Sequence, residues 1–112
     1  MSGSIVYYFN WEYSNINRSC IRTILSTNPL YCQNFVNSMN TVLDTIENWS
    51  NSFMKRHSVL PNTPEYKTLS DKSTSFKKDQ LSLILQELTR VASANPDYND
   101  VYDMIELRKE LL

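Results

Sequence analysis

The chain has 112 residues, 41% hydrophobic and 12% aromatic, enough for one modest core and too apolar for a chain disordered throughout. Its net charge of −1 gives no bulk attraction for nucleic acid or an anionic membrane. The one glycine is Gly3, which excludes a glycine-rich phosphate cradle and disfavours a fold of tight hairpins, since both need backbone free of a Cβ.

From the N-terminus, "IVYYFNWEY" alternates Ile5, Tyr7, Phe9, Trp11 and Tyr13, the period of a strand, in residues that favour strands. No second convincing strand exists to pair with it, and a lone strand is not stable. The segment is therefore expected as a helix over about 4–13 or an arm laid on a bundle, with pairing to another chain as the alternative. Next, "NINRSCIRTILST" (15–27) predicts a helix with Ile16, Cys20, Ile21, Ile24 and Leu25 inward and Arg18 and Arg22 on the other face. Asn28–Pro29 ends it, because proline restricts the residue before it.

The clearest pattern follows. Cys32, Phe35, Met39, Val42, Ile46, Trp49 and Phe53 recur at alternating intervals of three and four, and Val36 and Leu43 widen the stripe. A widened stripe faces a bundle core, whereas a strict two-in-seven seam suits a coiled coil. This predicts one long central helix over about 29–55, roughly 40 Å at 1.5 Å per residue.

Residues 56–75, rich in Ser, Thr and Asn and holding two prolines, are expected as a long basic loop. Inside it "TPEYKTL" reads as a short helix, with Thr63 as cap, Pro64 at the first position and Glu65 in the first turn. A further helix is predicted over 76–94, capped by Ser75, with Leu81, Ile84, Leu85, Leu88, Val91 and Ala92 on one face. The last is predicted over 97–112, capped by Asp97, with Val101, Ile105 and Leu112 inward beside Tyr98 and Tyr102. The expected fold is thus all-α, one domain over 1–112 made of a small bundle of four to five helices. The ending "ELRKELL", in full helical pattern, suits a natural terminus or the edge of an N-terminal domain in a longer protein.

Reactive side chains are sparse. His57 is the only histidine, and its neighbours in "KRHS" suggest a solvated helix end. Cys20 and Cys32 lie on apolar helix faces without metal-ligand spacing, and free cysteine is usually a core residue. Asp97, Asp100, Asp103 and Glu106 form an acidic ridge, but the spacing is not that of a calcium loop. No catalytic, cofactor-binding or metal-binding residue is therefore assigned, and an enzyme is not expected. Two cysteines, no leader-like start and no apolar run of membrane-spanning length predict an intracellular chain with no membrane insertion. In that setting the sequons at Asn17 and Asn48 carry no meaning.

The expected function is a non-catalytic helical module for protein–protein interaction or oligomerisation. Tyr7, Tyr8, Phe9, Trp11 and Tyr13 are the candidate partner-binding residues, since aromatics anchor interfaces; the competing reading is that they fill the core. The partner is another protein or a second copy of the chain. Charge divides unevenly: residues 55–78 carry six Lys/Arg against two acids, and 79–112 carry three against seven. Lys72, Lys77 and Lys78 on one side and Asp100 and Asp103 on the other are candidate charged docking points. The alternative is a nucleic-acid-associated factor using the basic loop 55–78, which no recognition motif and few stacking aromatics support.

Overall fold

The computed structural model describes residues 2–92 and 95–112. Among them the chain is all-helical: α1 (Ser2–Leu25), α2 (Gln33–Arg56), α3 (Pro64–Val91) and α4 (Pro96–Glu110), with no strand.

α1 is one helix of 24 residues, so the predicted division into an N-terminal arm or helix and a second helix is corrected. The strand-like alternation resolves into two helix faces. At about 100° per residue, Ile5, Phe9 and Tyr13 stack one above another, and Tyr7 and Trp11 emerge on the opposite side. The inner stripe continues through Ile16, Cys20 and Ile24, all packed in or against the core.

α2 confirms the three-and-four stripe: Phe35, Met39, Val42, Ile46, Trp49 and Phe53 are buried, with Val36 and Leu43 beside them. It begins at Gln33 rather than near 29. Asn28 explains the delay. Its side-chain oxygen accepts from the Leu30 N–H at 2.9 Å, and its backbone oxygen accepts from the Asn34 amide at 2.9 Å, so Pro29 lies in a turn. Nor is α2 the one long helix, since α1 matches its 24 residues and α3 exceeds it with 28.

The long basic loop is the larger correction. Only residues 57–63 connect α2 to α3, and the rest of 56–75 is helix. Thr63 caps α3, accepting from the Tyr66 N–H at 3.3 Å, with Pro64 at the first position. The helix then runs unbroken, because Ser70, Ser73, Thr74 and Ser75 are weak helix formers but not breakers. Packing decides the matter: Leu69, Ser73, Gln80, Leu81, Ile84, Leu85 and Leu88 are buried along one side. The sequence-predicted end of this helix, at 94, lies outside the described residues.

α2 itself ends in a turn that normally takes glycine. Ser58 adopts φ 54°, the Val59 N–H reaches back to the Met54 carbonyl at 2.9 Å and the Ser58 N–H to that of Lys55 at 3.3 Å. This is the Schellman arrangement with serine in the left-handed position. Val59 then packs against the core. α4 is capped by Asn95, not Asp97: the Asn95 side chain accepts from the Asp97 N–H at 3.0 Å, which places Asp97 in the first turn.

α2 and α3 form the middle of the bundle, each touching every other helix. α1 packs along one side of this pair and α4 along the other, and α1 and α4 do not meet among the described residues. The cross-section is therefore a flattened rhombus, consistent with Cα extents of 52 × 24 × 17 Å. One cluster of buried residues draws on all four helices, ending in Tyr98, Val101 and Ile105 of α4. The Tyr98 hydroxyl also donates to the Pro29 carbonyl, tying the start of α4 to the α1–α2 turn.

Candidate functional site

The aromatic N-terminal segment divides cleanly by face. Phe9 and Tyr13 point inward. The Phe9 ring lies 4.4 Å from Trp49 and 5.0 Å, edge-on, from Phe53. Tyr13 stacks on Phe76 of α3 with centroids 3.6 Å apart and planes nearly parallel at 3°. These five rings hold α1, α2 and α3 together, so Phe9 and Tyr13 are already spent on packing. Burial pushes the Tyr13 hydroxyl up to about 12. It accepts from the buried Gln80 amide at 2.7 Å, and the same amide donates to Asn17 at 2.6 Å. Among the described residues the Gln80 side-chain oxygen and the Ser73 hydroxyl are buried without hydrogen-bond partners.

Glu12 pins the same region at its rim. Its carboxylate accepts from the Trp49 indole N–H at 3.2 Å and from both terminal nitrogens of Arg56, at 3.1 and 2.7 Å. The Arg56 hydrogen bonds hold this carboxyl below the usual range, against the opposing effect of burial.

The outward face of α1 is different. Tyr7, Tyr8 and Trp11 are 64%, 51% and 58% exposed, and Tyr7 meets Tyr8 edge-on at 5.6 Å. Further along the same side, Arg18, Arg22 and Leu25 are exposed, and with Ile21 they border a shallow depression. The only acid of α1 is Glu12, which is already paired, so this face is aromatic at its start and cationic towards its end.

The basic segment forms no single patch. Lys77 pairs with Glu47, Lys67 with Asp71 at 3.0 Å, and Arg56 with Glu12. Lys72, Lys77 and Lys78 are five and one residues apart, which at about 100° per residue directs them to three different sides of α3. Lys72 is half-buried and Lys78 exposed.

On α4, Asp100 and Asp103 are exposed, as expected of an acidic ridge. Sequence reading missed what lies beside them: Met104, Leu107 and Leu111 are exposed on the flank away from the buried Val101 and Ile105. Their intervals of three and four, offset from the inner stripe, were the available signal.

Cys20 is buried in the core, where burial pushes its thiol up, and both cysteines are free. The His57 ring stacks on Phe53 at 4.2 Å at the end of α2. Among the described residues no group of three His, Cys, Asp or Glu side chains is placed to hold a metal ion, and no helix is long and apolar enough to cross a membrane. Comparison with protein-family models, curated proteins and solved structures finds no match.

Proposed function

We propose that the chain is a non-catalytic helical interaction module whose docking surface is the outward face of α1, centred on Tyr7, Tyr8 and Trp11. The observation that carries this is the division of one helix into two apolar faces. The inner face is fully engaged with α2 and α3, yet three large aromatics stand more than half exposed on the other. Single exposed apolar residues are ordinary, but a cluster of rings on one face has the composition of an interface hot spot. Free Cys20 and Cys32 suit an intracellular setting, where thiols stay reduced. The nucleic-acid alternative is less well supported, because three of the six cations in 55–78 are already paired.

The test is a photoreactive amino acid placed at position 7 or 11 of the chain in its native cell, with position 41 on the exposed side of α2 as control. A discrete adduct is expected from 7 and 11 and not from 41. No adduct at either aromatic position would remove the reading.

A further inference from the structure

From the outward faces of α1 and α4 we infer that the partner is a second copy of this chain, with α4 of one copy laid antiparallel on α1 of the next, head to tail. This rests on the reading of α1 as a docking face.

The two faces complement each other in charge and in order along the helix. α1 is aromatic near its start, at Tyr7 and Trp11, and cationic further on, at Arg18 and Arg22. α4 is acidic near its start, with Asp97, Asp100 and Asp103 exposed, and towards its end Leu107 and Leu111 are exposed among charges of both signs, Glu106, Arg108, Lys109 and Glu110. Laid antiparallel, acids meet arginines while leucines meet the aromatic rings. Laid parallel, the three aspartates would face the rings, and the arginines would meet the end of α4, where Arg108 and Lys109 offset Glu106 and Glu110. The lengths agree as well. The aromatic and cationic halves of α1 are centred about 16 Å apart along the axis, and the exposed aspartates and leucines of α4 about 13 Å, at 1.5 Å per residue. Antiparallel packing also sets the two helix dipoles favourably.

The rhombic section then dictates the assembly. α1 and α4 occupy opposite corners and do not touch among the described residues, so one copy cannot offer both faces to the same neighbour. A contact between unlike faces that does not close on itself generates open chains of subunits.

Sedimentation velocity of the full chain against concentration is the test. Self-association past two chains, weakening as salt is raised, is expected. Tyr7→Ser/Trp11→Ser removes one face and Leu107→Ser/Leu111→Ser the other. Each variant should lose association at least about tenfold at unchanged helicity, because every altered side chain is exposed. Mixing the two should restore a species of two chains and none larger, since only one competent pair of faces remains. A wild-type chain that stays monomeric up to about 1 mM overturns the inference, as does assembly that stops at two or that survives the α4 substitutions. A monomer that still gives a photo-adduct with a different protein from position 11 sinks the second copy alone. No adduct sinks the α1 reading with it.

Discussion

Glu12 shows how one side chain can secure three helices' worth of packing. Its carboxylate reaches Trp49 and Arg56, both on α2, from α1, and so fixes the wall of the aromatic cluster that also takes in Phe76 of α3. A carboxyl held below its ordinary range stabilises the fold above its unfolded value, and that contribution is lost as pH falls through the folded one. Glu12→Gln keeps an acceptor for the Trp49 indole but removes the ion pair. Arg56 is half-exposed, which screens the pair, so the expected loss at neutral pH is small, about 4 °C in Tm. The gap between variant and wild type should narrow as pH is lowered into the acid range, which thermal melts at several pH values would check. A gap that widens with acid would contradict the assignment.

At the scale of elements, the periodic stripe of α2 was legible because each of its intervals carries an apolar side chain, and all but the marginal Cys32 are buried. α3 hid its continuity for the opposite reason. Its core positions include Ser73, at 5% exposure inside the Ser- and Thr-rich stretch that reads as a loop, and Gln80, at 1% inside the stretch that already reads as helix. Only the neighbouring helices show why they fit. Ser73 faces the polar groove it shares with Ser50 and Asn51 of α2, and Gln80 reaches Tyr13 and Asn17 of α1. α1 misled in another way, since a residue alternation of two and a pair of opposed helix faces look alike over nine positions. The candidate site was legible as a cluster of rings, but which rings were free depended on that helix phase. Continuity of α3 can be measured directly. Ser75 is exposed in the middle of the helix, and Ser75→Pro should cost about 3 kcal/mol by removing a backbone hydrogen bond and crowding the preceding turn. Denaturant titration showing a change within experimental error would return this stretch to a loop.

For the whole molecule, one buried cluster shared by four helices implies that the core is lost as a unit. Ile46 is fully buried at its centre. Ile46→Ala should cost about 2–5 kcal/mol, the range for removing a large aliphatic side chain without full collapse of the space left. Near-ultraviolet and far-ultraviolet circular dichroism should then report the same, lowered midpoint; two separate midpoints would mean two independent cores. The long, flat outline follows from this packing, because a helix pair flanked at opposite corners cannot round up as a square bundle does.

The missing contact between α1 and α4 also bears on how the molecule would come apart under load. Tension applied through the two ends of the chain pulls on helices that do not brace one another. Both are nevertheless rooted in the same buried cluster, through Phe9 and Ile24 on one side and Val101 and Ile105 on the other, so pulling either away opens the core they share and rupture would come as a single sharp break.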